Sequence, residues 1–319
     1  MNGLSDAALQ HLREVADLPD LSGTPYEIAG TIGRGGMGTV YLAVDRRLGR
    51  EVALKVVQLP GGTGEDVDRL LREARVLARL EHPGIVPVHD AGLLPDGRAF
   101  YAMKRVRGQR LDEYAATVPL PERLRAFERI CEAVAFAHAH GVIHRDLKPE
   151  NVMVGPFGEV LVMDWGVAKV RAAEESWGGE GREGKRPSGE AATAHGTILG
   201  TPGYMAPEQE RGETDRIDER ADVYALGAIL RFLLAGEEAP RPLEAICRRA
   251  MAAEPESRYP EVEELAADLS RYLAGLPVGA HRESLLERAG RIVRRHRTLV
   301  LLILTYLVLR VLLILLLGR

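Results

Sequence analysis

The sequence predicts an α+β fold in which antiparallel strands come first, helices follow, and an apolar segment closes the chain. Three observations carry that expectation. From Tyr26 onward, β-branched and apolar residues alternate in short runs broken by glycine, the period of strands. From Pro121 onward, apolar residues recur every three or four positions, the period of helices. Residues 299–317 are apolar apart from Thr305, Tyr306 and Arg310, a run long enough to span a bilayer.

With 319 residues, 46% of them hydrophobic and 28% charged, the chain can bury one large or two small cores. Cys131 and Cys247 lie far apart in helical patterns, as reduced buried thiols in a cytosolic compartment would. The net charge of −4 hides an asymmetry. Residues 281–319 hold eight arginines against two glutamates, leaving 34 basic and 44 acidic residues, a balance of −10, in the remainder. An acidic body with a basic, apolar tail argues against nucleic acid and for a membrane surface near the C-terminal end. Met1–Gln10 is polar and lacks the apolar run of a signal peptide, and no internal repeat is evident.

Residues 1–25 read as a leader: a short amphipathic helix with Leu4, Ala8, Leu12 and Val15 on one side, then a polar link to Pro25. In the run Ile32-Gly33-Arg34-Gly35-Gly36-Met37-Gly38-Thr39-Val40, glycines hold the first, third and sixth places of a GxGxxG pattern. Glycine lets a backbone approach phosphates closely and present its N–H groups. A dinucleotide site would need a helix directly afterwards. Here Thr39–Val44 is β-branched and alternating, so the loop joins two antiparallel strands.

Val52–Val57 forms a third strand with Lys55 in its middle, and a lysine in an apolar strand requires a partner or solvent. The helix expected at Asp68–Leu80 carries Leu70, Ala74 and Leu77 at helical spacing. Glu73 lies on its inward side and is the only acid there besides Asp68. Ile85–Val88 and Arg98–Met103 read as two further strands, separated by a loop at Gly92–Gly97 with the turn signal Pro95-Asp96-Gly97. Pro121–His140 is a long helix with the stripe Leu124, Phe127, Cys131 and Val134, closed by Gly141. His138 and His140 in its last turn suit the helix dipole and are assigned structural roles.

The next segment is His144-Arg145-Asp146-Leu147-Lys148-Pro149-Glu150-Asn151. Asp146 can accept a proton from an attacking hydroxyl, Lys148 can hold negative charge near it, and the Asn151 amide oxygen can bind a divalent cation. Those groups sit close together only in a tight loop, which Pro149 favours. Val152–Val154 and Val160–Met163 then form a hairpin that delivers Asp164-Trp165-Gly166, with Asp164 a second cation ligand.

The octapeptide resembles the catalytic loop of eukaryotic-like protein kinases, with Lys148 typical of the serine/threonine branch. Around it, in order, stand the glycine loop, the strand lysine, the helix acid, the metal aspartate with Trp165 where the family has phenylalanine, and Ala206-Pro207-Glu208. The resemblance covers about residues 26–275. It implies a bilobal fold: an antiparallel sheet plus one helix over 26–104, and a mainly helical lobe over 109–275. It implies ATP with Mg²⁺ or Mn²⁺, and transfer of the γ-phosphoryl to Ser or Thr hydroxyls of proteins. Asp146, Lys148, Lys55 and Glu73 would be catalytic, with Glu73 pairing Lys55. Ile32, Gly33, Arg34, Gly35, Gly36, Met37, Gly38, Val40, Ala53, Lys55, Met103 and Met153 would surround the nucleotide, and Asn151 and Asp164 would hold the metal. Val40, Ala53 and Met153 also read as plain core. Lys104–Gly108 would be the hinge, Asp222 would support the catalytic loop, and Arg258 would pair with Glu208.

Val170–Gly196 is rich in Gly and Glu and occupies the family's activation loop. Arg145 beside Asp146 implies control by loop phosphorylation, with Thr193 and Thr197 as the leading candidates and Ser176 and Ser188 behind them. Ala221–Leu234 is an apolar core helix, Leu243–Ala252 and Val262–Leu273 are further helices, and the family's docking insertion is shortened to Ala235–Pro242. Residues 276–297 are basic, with Arg282, Arg288, Arg291, Arg294, Arg295 and Arg297 before a transmembrane helix at 298–317. Sixteen Leu, Ile or Val residues there outweigh one arginine at about +3 kcal/mol. The basic flank puts the kinase domain on the cytoplasmic side of a single-pass cell membrane protein. Protein substrates, ATP and membrane lipid are the expected partners, with a homodimer for trans-autophosphorylation as a further candidate. The alternative readings are a pseudokinase scaffold, which usually lacks one of these residues, and a small-molecule kinase, which Gly200–Glu208 disfavours.

Overall fold

The computed structural model describes residues 18–35, 38–57, 74–165, 203–213, 216–236, 238–284, 288 and 297–317. The expectations for 1–17, Gly36, Met37, Glu73, 166–202 with Thr193 and Thr197, and most of the basic segment lie outside the described residues.

Five strands form the first sheet: β1 Tyr26–Gly35, β2 Gly38–Asp45, β3 Arg50–Val57, β4 Val88–Leu93 and β5 Ala99–Lys104. Their order is β1-β2-β3-β5-β4, antiparallel throughout. Alternation sorts the side chains. Val52, Leu54 and Val56 of β3 pack with Tyr26, Tyr41, Phe100 and Ala102 on one face. Ala53 and Lys55 therefore point to the opposite face, toward the second lobe. The β1–β2 hairpin closes at Gly35↔Gly38. Gly38 has φ +140°, and a Cβ there would press into the Val56 carbonyl, so only glycine lets the hairpin lie on β3.

The expected strand at Ile85–Val88 is corrected. Ile85 makes an isolated parallel bridge to Val162, Val162 N–H donates to Gly84 O at 2.8 Å, and β4 begins only at Val88. That stretch ties the sheet lobe to the helical lobe. The expected loop from Gly92 is also corrected, since β4 continues to Leu93. A side chain at 92 would crowd the Phe100 ring, which lies 3.1 Å from where a Cβ would stand.

A second, three-stranded sheet is formed by β6 Gln109–Arg110, β7 Val152–Val154 and β8 Val160–Val162. The helical lobe contains α1 Leu111–Thr117, α2 Leu120–Ala139, α3 Pro207–Glu210, α4 Arg220–Leu233, α5 Arg241–Ala250 and α6 Val262–Leu273. β6 and α1 had no sequence signal long enough to read.

Helix α2 buries Leu124, Phe127, Ile130, Cys131 and Val134. It ends in a Schellman motif: Gly141 N–H donates to His138 O at 2.8 Å and Val142 N–H to Ala137 O at 2.9 Å, with Gly141 at φ +72°. The turn sends the chain straight into His144–Asn151. Helix α4 is buried along most of its length and forms the lobe's spine. Both cysteines are free and buried, and burial pushes the Cys247 thiol up to about 12.

The last helix, α7, is Arg297–Leu317. Its described side chains, at 301–310 and 313–315, are exposed. Among the described residues no helix is long and apolar enough to cross a membrane.

Candidate active site

The site is assembled around a carboxylate that does no chemistry. Asp222, in the first turn of α4, is fully buried. Its two oxygens accept the backbone N–H groups of His144 and Arg145, each at 2.8 Å. His138 Nε2 lies 2.8 Å from the same carboxylate. Burial pushes Asp222 up, but the His138 ring and the two N–H groups outweigh it and hold it below the usual carboxylate range. His138 thus gains a partner that its place at the end of α2 had not suggested.

Two N–H groups on one carboxylate allow a sharp turn, and Arg145 takes φ +69°. Its carbonyl accepts Gln209 Nε2 at 3.0 Å, linking the loop to α3. His144 is fully buried, with Nε2 at 2.9 Å from Met163 O and Nδ1 at 3.3 Å from the Asp146 N–H. These partners fix the tautomer with the proton on Nε2. Desolvation, the largest influence, holds His144 below the ordinary histidine value despite Asp222, Asp146 and Asp164 nearby.

That has a consequence for acid stability. The unfolded chain takes up a proton near pH 6.5 that folded His144 resists. Its stabilising contribution is complete above that pH and is lost as pH falls toward the lowered folded value. His82 and His89, also held below the ordinary value by burial, act in the same sense. The unfolding midpoint should therefore drop between pH 7.5 and pH 5.5, with a shallower slope in His144→Gln. A flat profile would contradict neutral burial of His144.

Beyond the turn, Asp146 presents its carboxylate to the cleft. Lys148 Nζ lies 3.0 Å from Oδ2. Asn151 Nδ2 donates to the Asp146 carbonyl at 2.8 Å and stands 3.3 Å from Oδ2. Met163 N–H donates to Asn151 O at 2.8 Å, which brings Asp164 beside this loop. Asp164 has φ +62° and forms an ion pair with Lys55 of β3. Burial disfavours charge on Lys55, but Tyr101 and Asp164 more than offset it and hold the ammonium above the ordinary lysine value.

Trp165 is buried, packs against His144 with ring centroids 4.6 Å apart and the rings tilted by 52°, and donates Nε1–H to Val162 O at 3.1 Å. Indole in place of a phenyl ring is accommodated because its extra N–H has an acceptor. Trp165 also lines a small cavity with Leu77, Ile85, Val88, Tyr101, Met103 and Asp164.

On the sheet side, Gly33 and Gly35 have open space where a side chain would stand, leaving room for a close ligand. Val40 is registered opposite Lys55, and Ala53 opposite Met103. Met153 lies in β7 opposite Leu161. Ile32 and Arg34 are exposed on β1.

A family model for the protein kinase domain matches residues 26–273. This chain belongs to the protein kinase family. Among curated relatives, serine/threonine-protein kinase PknD of Chlamydia muridarum is 35% identical over 305 residues, covering 78% of this chain and 32% of that protein. The PknD of Chlamydia trachomatis serovar D is 35% identical over 312 residues, covering 82% and 33%. The chain therefore spans about a third of the length of these relatives. Among solved structures, the PknI kinase domain of Mycobacterium tuberculosis superposes with a TM-score of 0.57 at 27% identity, covering 77% of this chain and 95% of that one. The family uses ATP with a divalent cation, and the bilobal fold expected from the sequence is the one found.

The structure brings Lys55, Asp146, Lys148, Asn151 and Asp164 into one cleft. Sequence reasoning missed Gln209, His138 as a partner of Asp222, and Tyr101. None carries a local signal, because each acts on a residue brought near only by the fold.

Proposed function

We propose that the chain is a serine/threonine protein kinase that transfers the γ-phosphoryl of ATP to protein hydroxyls. The supporting observation is the Lys55–Asp164 ion pair reaching across the cleft beside the Asp146–Lys148–Asn151 loop. Asp146 orients the hydroxyl and takes its proton. Lys148, already on that carboxylate, steadies the γ-phosphate. Lys55 holds the α- and β-phosphates, while the glycine loop covers them and Val40, Ala53, Met103 and Met153 enclose adenine. Catalysis then rests on placement and electrostatics.

The donor set fits a hard cation. Asp164 offers a carboxylate, and the Asn151 amide, with its nitrogen committed to Asp146, offers its oxygen. Among the described residues no group of three or more His, Cys, Asp or Glu could hold a metal. Two protein oxygens, with phosphate and water supplying the rest, suit Mg²⁺, which neutralises phosphate charge when bound.

Incubating the purified chain with γ-labelled ATP, Mg²⁺ and a generic protein substrate, beside Asp146→Asn, tests the reading. Phosphoserine or phosphothreonine should form only with the unaltered chain, and peptide mapping should place label on Thr193 or Thr197. Label on small molecules alone would remove the protein-kinase assignment, and no phosphate within 170–201 would remove the loop sites.

We also propose that α7 anchors the kinase in the cell membrane. Its 21 residues rise about 31 Å, close to the hydrocarbon thickness. Thr305 Oγ1 is satisfied by Leu301 O at 2.9 Å within the helix. The arginine-rich segment before it supports a catalytic domain on the cytoplasmic side. The protein should resist alkaline carbonate extraction and be released by detergent, and deletion of 298–319 should make it extractable. Release of the intact chain by carbonate would refute the anchor.

A further inference from the structure

The peptide bond between Arg145 and Asp146 is held at both ends. Its carbonyl, on Arg145, accepts Gln209 Nε2–H at 3.0 Å. Its N–H, on Asp146, donates to His144 Nδ1 at 3.3 Å. A peptide unit is planar, so two bonds of this kind fix its orientation. That plane sets the direction in which the Cα–Cβ bond of Asp146 leaves the chain. Support is needed here because Arg145 sits at φ +69°, a conformation that side chains other than glycine rarely adopt.

Gln209 is fastened on its other side as well. It is 7% exposed, and its Oε1 accepts the N–H of Ala206 at 3.1 Å. Ala206 precedes α3 and Gln209 is the third residue of that helix, so this bond is the side-chain half of a capping box. The Ala206 N–H requires an oxygen and the Arg145 carbonyl requires an N–H, so reversing the amide would lose both bonds. Glutamate at this position, when ionised, could still accept from Ala206 but would have no hydrogen for Arg145.

We infer that Gln209 is a positioning residue for Asp146: its amide carries the placement of residues 203–207 to the peptide that aims the catalytic carboxylate. A movement that withdraws Ala206 from the amide oxygen also frees the amide nitrogen to turn from Arg145, and Asp146 loses its aim. This inference rests on the reading of Asp146 as the group that takes the hydroxyl proton. Gln209 touches no reactant and acts only through the Arg145–Asp146 peptide.

The test uses the purified 319-residue chain in detergent micelles. Single-turnover transfer from ATP to a generic protein substrate is measured beside ADP affinity. The variants are Gln209→Met, Gln209→Glu, Asp146→Asn, and Asp146→Asn combined with Gln209→Met. Methionine keeps the length and bulk of glutamine and makes neither bond. Gln209→Met should slow transfer by about tenfold to a hundredfold, as a misaimed group does, with ADP affinity within about twofold. Added to Asp146→Asn it should cost little more, because both changes act on one carboxylate. Gln209→Glu supplies a readout that packing alone would not move. Below its own pKa the acid regains a hydrogen for the Arg145 carbonyl. Its rate relative to the unaltered chain should therefore climb as pH falls, while the ratio for Gln209→Met stays level. The same pH comparison serves if the methionine variant does not fold. Unchanged transfer in Gln209→Met, a parallel loss of ADP binding, full additivity with Asp146→Asn, or a level ratio in Gln209→Glu overturns the inference, while slow transfer in Asp146→Asn preserves the base reading. Unchanged transfer in Asp146→Asn overturns that reading and the inference with it.

Discussion

Asp146→Asn is expected to lower kcat by about 10²–10⁴-fold, the range a positioned general base contributes. The replacement is nearly isosteric, and the geometry around it explains why the loss should be confined to chemistry. Asn151 is held mainly by the Asp146 carbonyl, at 2.8 Å, and only weakly by the carboxylate, at 3.3 Å. The backbone turn is fixed instead by Asp222 and Gln209. An amide at 146 therefore leaves the loop in place. It removes the acceptor for the hydroxyl proton and strips Lys148 of the ion partner now 3.0 Å away. Nucleotide binding should be nearly unaffected, because the Lys55–Asp164 pair does not involve Asp146. Steady-state transfer of label, with ADP affinity measured alongside, checks both halves. Equal rates in the two proteins would favour a scaffold that binds nucleotide without transferring phosphate.

Local period and local chemistry made most of this site readable. The β3 lysine was visible because a charge in an apolar strand needs a reason, and the octapeptide because its groups are useful only when close together. What stayed hidden depends on distant pairing. Ile85 and Val86 look like a strand because they are buried, yet their partner is Val162 in the other lobe. Gly92 looks like a loop residue, yet it sits inside β4 beneath the Phe100 ring. His138 read as a helix-end histidine, and its bond to Asp222 crosses 84 positions of sequence. Tyr101 read as one more strand aromatic, and only the β3–β5 register sets it against Lys55. Periodicity reports which face a residue shows; it does not report what waits on that face.

The largest loss of stability is expected at Arg258. Its guanidinium is buried and meets the Glu208 carboxylate through two parallel bonds of 2.7 Å. Its remaining donors are also used: Nε–H on Ala252 O at 2.8 Å, and the two terminal nitrogens on Arg220 O and Ala253 O at 3.0 Å each. All five donors of the fork are satisfied, and the group stacks 5.0 Å from the centre of the Tyr224 ring. One side chain thereby joins α3, the start of α4 and the turn after α5. Arg258→Ala leaves Glu208, itself fully buried, without its counter-charge, and takes one donor from each of three carbonyls. Removing one partner of such a pair costs about 3–5 kcal/mol, which for a domain of this size lowers the unfolding midpoint by roughly 6–20 °C. Replacing both partners, as Glu208→Leu with Arg258→Met, removes the stranded charge and should recover part of that loss. Thermal unfolding of the two single variants and the double variant gives the comparison. A double variant as unstable as the sum of the singles would show that the charge pair is not what couples these helices. Because Gln209 follows Glu208 and holds the Arg145 carbonyl, Arg258→Ala should also reduce phosphoryl transfer at temperatures where the fold is intact.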